Sequence, residues 1–165
     1  MAIDRTYAFL SQDHDHGHCI SDALLKAEKI CAQKGARLTR IRRSVLTSVW
    51  ESHAPVGAYD ILERLNAGGR RTAPITVYRA LDFLMSCSLV HRLASMSAYT
   101  GCGIPGQPHG AQFLICTDCG AAAELHDPKI DQAILLGAEG AGFFVKAPVV
   151  EIQGQCLECQ EGTAG

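Results

Sequence analysis

Four of the eight cysteines fall in two pairs of identical spacing, Cys116-x-x-Cys119 and Cys156-x-x-Cys159. A two-residue spacer lets both sulfurs of one turn face a single ion. Two such turns supply the four thiolates that a closed, tetrahedral structural zinc site requires. The 36 residues between the pairs exceed the usual zinc-ribbon spacing, but they hold enough chain for a strand, a helix and a returning strand. The competing readings are four unligated core cysteines or a redox pair. A thioredoxin-like CxxC is expected to open the helix of a βαβ unit, and neither pair reads that way.

A second set of donors is less regular: His91, Cys102, His109 and Glu124. On residue type alone, a histidine near a strand is more often structural and a lone cysteine more often a small buried hydrophobe. Their spacing decides nothing. His14, His16, His18 and Cys19 form a short His-rich tract, a compositional hint of an accessory metal site within a polar, aperiodic stretch that reads as a tail. Cys31 and Cys87 sit among apolar neighbours in helical patterns and are expected in the core.

Charge separates the chain into two objects. Residues 1–93 hold 13 Lys and Arg against 9 Asp and Glu, whereas residues 94–165 hold 2 against 8. A basic half suits a polyanion, because neutralising phosphates releases condensed counterions, and an acidic half is repelled. DNA contacts are therefore expected before Ala94. No run approaches the ~18 apolar residues of a membrane span, and the N-terminus lacks a secretory pattern. The expected compartment is the cytoplasm, where thiols stay reduced and metal ligation is favoured over disulfides.

The elements that must position these groups follow from periodicity. Ser21 is placed to cap a helix in which Leu24, Leu25, Ala27, Ile30 and Cys31 share a face, with Gly35 as its stop. Thr39 is placed to cap a second helix, apolar at Ile41, Val45, Leu46, Val49 and Trp50 and basic along Arg40, Arg42 and Arg43. A short helix over AYDILERLNA follows. After Pro74 comes a candidate recognition helix, its apolar positions Ile75, Val77, Leu81, Leu84 and Met85, with Thr76, Tyr78, Arg79 and Asp82 on other faces. LVHRLA and SAYTGC read as a wing hairpin. The second half offers strands in AQFLICTDC and AAAELH, a helix over roughly DPKIDQAILLGAEGAG, and a strand in APVVEIQGQC. Boundaries fall at 1–20 for a flexible tail, 21–95 for a winged helix, 96–110 for the wing exit and hinge, and 111–165 for a metal-binding domain.

The strings AEKICAQKGARLT, AYDILERL, TVYRALDFL, LVHRL and FLICTDCG, with the closing CxxC, resemble the ferric uptake regulator family, and within it the zinc-sensing members, from about Ser21 to Cys159. The resemblance implies an α+β chain: an N-terminal winged helix-turn-helix domain followed by a small α/β dimerisation domain with a structural four-cysteine zinc site. Homodimers would bind palindromic double-stranded operator DNA when metal is present, with two dimers on one operator as an option, and zinc uptake genes would be controlled. Cys116, Cys119, Cys156 and Cys159 match the structural zinc ligands, and His91, Cys102, His109 and Glu124 match the regulatory zinc ligands, giving two Zn²⁺ per subunit. That second set, with one thiolate, two imidazoles and one carboxylate, is a borderline-soft donor set suited to zinc. Tyr59 and Arg79 match operator-contacting positions, with Thr76 and Tyr78 beside them. Arg40, Arg43 and Arg71 are expected at the phosphate backbone.

Three rival readings remain at this point. One is a relative sensing iron, manganese or peroxide; another is a zinc-ribbon enzyme; the last is an interaction domain. Neither a nucleophile–base constellation nor a glycine-rich phosphate loop supports the enzyme or a small-molecule substrate.

Overall fold

The computed structural model describes Phe9 and residues 16–52, 54–69, 71–106 and 109–162. The described residues fall into two compact units, one within residues 10–107 and the other within residues 108–165 together with Phe9. His14 of the His-rich tract and most of the expected tail lie outside the described residues.

The first unit contains α1 (His16–Gln33), α2 (Arg40–Trp50), β1 (Val56–Gly57), α3 (Ala58–Ala67), α4 (Pro74–Ser86), β2 (Val90–Leu93) and β3 (Ala98–Gly101). α1 begins five residues before the expected cap: Ser21 lies inside the helix, where its hydroxyl donates back to the His18 carbonyl at 2.9 Å. A serine inside a helix can make this backward bond in place of capping, which the sequence pattern does not distinguish. The far end behaves as expected. Gly35 adopts φ +63°, and the Gly35 and Ala36 amides donate to the carbonyls of Ala32 (3.1 Å) and Cys31 (2.8 Å). These two bonds close a Schellman stop that a side chain with a Cβ would strain.

Thr39 stands at the N-cap of α2 with an extended backbone, but its side chain makes no capping bond. α3 occupies the expected ten residues, its start fixed by the Asp60 carboxylate accepting the Gly57 amide at 3.2 Å. Pro74 opens α4 at its first position, where the missing N–H costs nothing. Val77, Ala80, Leu81 and Leu84 of α4 pack against Val45, Leu46 and Val49 of α2, Ile61 of α3, and Cys31 and Cys87. Each fully buried aliphatic side chain contributes about 1.5–3 kcal/mol. Two expected core positions are corrected: Leu25 is 57% exposed and Ile75 58% exposed. Both lie at the edge of their helix's apolar arc, where a three-four spacing fits either face. The three strands form an antiparallel sheet in the order β1-β3-β2. Because β3 belongs to this sheet, the winged unit extends beyond the expected boundary at residue 95.

The second unit contains β4 (Ala111–Cys116), β5 (Ala122–Leu125), α5 (Pro128–Gly140), β6 (Val149–Gly154) and α6 (Leu157–Gly162). β4 is central, antiparallel to β5 and parallel to β6. α5 begins where the Asp127 carboxylate accepts the Lys129 amide at 2.9 Å. α6 is an addition to the sequence reading: Cys156 directly precedes it, so the second CxxC does open a helix. That helix spans six residues and no strand follows it among the described residues, so the βαβ setting of a redox CxxC is not formed.

Candidate metal centres and nucleic-acid interface

The first CxxC forms a turn at the end of β4. The Cys116 amide donates to the Ala121 carbonyl at 2.9 Å, and the Gly120 amide returns to the Cys116 carbonyl at 3.0 Å. Gly120 closes this turn at φ +73°, a conformation that side chains disfavour. The turn is tied to the second pair by the Thr117 amide on the Gly154 carbonyl at 2.8 Å. The Gln155 side-chain amide on Asp118 at 2.7 Å and the Cys156 backbone amide on Cys116 Sγ at 3.4 Å add to this. The parallel pairing of β4 with β6 therefore delivers both pairs to the same end of the sheet.

The result is four sulfurs within 4.8 Å of one another. A zinc ion bonded at about 2.3 Å to each of four sulfurs holds them about 3.8 Å apart along a tetrahedral edge. Cys119 and Cys156 sulfurs lie 3.8 Å apart. The electrostatics point the same way. Backbone amides of Cys119 and Cys156 hold the Cys116 thiol down at about 6. Cys159 is pushed far up by the sulfurs of Cys156 and Cys116 and by burial. At Cys119 the Ala121 amide pulls downward, but the Cys116 sulfur and burial outweigh it. One thiolate forms readily here, and four can form together only when a cation balances them.

The second donor set falls in two pairs, one in each unit. In the first unit His91 of β2 pairs across from Thr100 of β3, and Cys102 lies two residues beyond Thr100. Side chains alternate along strands, so His91 and Cys102 are diagonal neighbours on one face of the hairpin. Cys102 is buried, its amide held by the Leu89 carbonyl at 3.1 Å. In the second unit His109 Nε2 lies 2.9 Å from Glu124 Oε1, and the His109 side chain is only 3% exposed. Sequence reasoning passed over His126, whose ring meets that of His109 edge-on at 6.1 Å. The available signal was alternation, which puts His126, two residues on, to the same side of the strand as Glu124.

Of the His-rich tract, His16 opens α1, His18 is exposed, and Cys19 is half-buried. Among the described residues His18 and Cys19 do not join a cluster of three or more metal donors. Cys31 and Cys87 are buried in the core as expected, and burial pushes the Cys31 thiol upward.

The nucleic-acid candidates lie on the first unit. Tyr59 at the start of α3 is 68% exposed and Tyr78 on α4 is 39% exposed, while Arg79 is exposed and Thr76 half-buried. Large exposed aromatic side chains on a helix without a folding role suit a binding face. The arginines differ among themselves. Arg40 and Arg71 are exposed, whereas Arg43 pairs with Glu28. Arg42 stacks 3.3 Å from the Phe83 ring centre and donates to the Arg37 carbonyl. Arg42 is thus used in holding α2 against α4 and the α1–α2 connection. No helix among the described residues is long and apolar enough to cross a membrane.

The family model for the Ferric uptake regulator family matches residues 33–153. The zinc uptake regulation protein of Escherichia coli K12 is 37% identical over 141 residues, covering 85% of this chain and 82% of that protein. A solved structure of a zinc uptake regulator complexed with zinc and DNA superposes with a TM-score of 0.84 at 36% identity, covering 88% of this chain and 98% of the other. A crystal structure of holo XcZur does so with a TM-score of 0.79 at 37% identity, covering 86% and 99%.

Proposed function

We propose, from the premise that this chain belongs to the ferric uptake regulator family, that it is a zinc-responsive transcriptional repressor. It binds palindromic operator DNA as a zinc-loaded homodimer in the bacterial cytoplasm and controls zinc uptake genes. It is a regulator and not an enzyme. The observation that carries the reading is the division of donors: a complete four-cysteine set in the second unit, and in addition two incomplete pairs, His91 with Cys102 and His109 with Glu124.

Cys116, Cys119, Cys156 and Cys159 would hold a structural zinc that staples β4 to the segment after β6. His91, Cys102, His109 and Glu124 would hold the regulatory zinc, one thiolate and one imidazole coming from the winged unit and one imidazole and one carboxylate from the other. Held by these residues, zinc would couple the two units, each of which contributes two of the four donors. The 2.9 Å approach of His109 Nε2 to Glu124 Oε1 brings the two donors side by side, and the proton between them would leave when both ligate a metal. The ion favours the DNA-competent state only by its higher affinity for it, and DNA must in turn tighten zinc. Arg79 has the planar fork that reads guanine O6 and N7, while Arg40 and Arg71 suit phosphates.

The donor set separates this reading from iron, manganese or peroxide sensing, which favours more oxygen and nitrogen donors. The test is a mobility shift on a palindromic operator with buffered free zinc, manganese or ferrous iron. Zinc alone is expected to drive binding at the lowest free concentration. Binding that follows iron or manganese instead, or ignores metal, defeats the proposal.

A further inference from the structure

The burial of α4 leaves an aliphatic side chain, Ile75, outside the core. Val77, Ala80, Leu81 and Leu84 take the buried arc, while Ile75, the second residue of the helix, is 58% exposed. A β-branched residue gains nothing in helix propensity at this point, and its exposed apolar area is unfavourable in water. Its neighbours on the helix surface, three and four residues on, are Tyr78 and Arg79. The outer face of the first two turns of α4 therefore sets an aliphatic side chain beside a guanidinium fork.

We propose that Ile75 is a sequence-reading residue whose side chain packs on the C5-methyl group of a thymine in the operator's major groove. The inference rests on the DNA-binding reading given above. An aliphatic side chain cannot bond phosphate or sugar, so Ile75 is excluded from the positioning contacts that dominate such interfaces. Within the major groove the apolar partner is the thymine methyl, and a neighbouring arginine is suited to guanine. Residues at the N-terminal end of a recognition helix are the ones that reach base edges. The surplus of 13 Lys and Arg over 9 Asp and Glu in residues 1–93 favours a polyanion over a neutral protein partner at this face.

The experiment uses the full zinc-loaded chain and a duplex that it selects from a random-sequence pool. Thymines are replaced one at a time by deoxyuridine, which deletes the methyl group and keeps the pairing. Wild type is expected to lose about four-fold in affinity at one position per half-site, the worth of one buried methyl group. Ile75→Ala removes the contact in both half-sites of the homodimer, so it is expected to bind the parent duplex weaker by about the square of that factor, roughly 16-fold, and to be indifferent to deoxyuridine at that position, while keeping its response elsewhere. Ile75→Val is expected to retain the discrimination. If no position separates wild type from Ile75→Ala, the assignment is overturned. If zinc-loaded wild type selects no duplex at all, the DNA-binding reading fails first.

Discussion

The two units reach stability by different means. The winged unit closes a continuous apolar core from α1 to β3, with Leu46, Ile61, Leu81 and Leu84 fully buried and its charges outside. In the second unit the core is thin: Phe113, Ile115, Ala123, Cys116 and Cys156 are buried, and no residue of α5 is. Leu135, Leu136, Phe143, Phe144, Val149, Ile152 and Leu157 are exposed instead. Exposed apolar side chains of this size suit a surface that a second copy covers, the occupant that the proposed homodimer provides. The first unit is built by packing, whereas on the proposed reading the second relies on a metal staple and a partner chain.

That contrast can be broken most severely at the staple. Structural zinc in small domains contributes an apparent ~10–16 kcal/mol, and a unit with so thin a core is expected to depend on it. Cys156→Ser, or exhaustive chelation, is therefore expected to unfold the second unit and abolish the dimer. The α-helical signal and slow amide exchange of residues 40–86 should persist. Hydrogen exchange read by mass spectrometry checks this, and cooperative loss of both units would erase the distinction. A smaller effect sharpens it. Phe144 is 82% exposed in the single chain, so Phe144→Glu should leave the fold and the four-cysteine zinc intact. It should weaken the dimer by at least about 2 kcal/mol, roughly 30-fold in Kd, as for an aromatic anchor at an interface. Sedimentation against concentration measures it, and an unchanged dimer would place the interface elsewhere.

Much of the winged unit was legible because local signals and packing agree there. The three-four spacing of α2 and α3, Pro74 before α4 and Gly35 after α1 each have one physical meaning, and the fold uses it. The cluster of four cysteines was legible from spacing alone, although the parallel register of β4 with β6 that assembles it was not, since pairing partners leave no local mark. Ser21 misled because a helix-interior serine and an N-cap serine present the same residue type. Ile75 misled because periodicity marks an arc, and a residue at its edge goes to core or solvent by tertiary context. The pairs His91 with Cys102 and His109 with Glu124 carry too little pattern to be grouped without the family resemblance. Strand register and a hydrogen bond now define each pair within its own unit.

The central claim is that the regulatory zinc draws ligands from both units, with Cys102 as its single thiolate. The most direct measurement counts zinc per chain and titrates operator binding against buffered free zinc for wild type and Cys102→Ser. The account predicts two ions per wild-type chain and zinc-dependent binding. For the variant it predicts one retained ion, a folded dimer and no binding response to zinc. Zinc-dependent operator binding by Cys102→Ser at the wild-type concentration would contradict it.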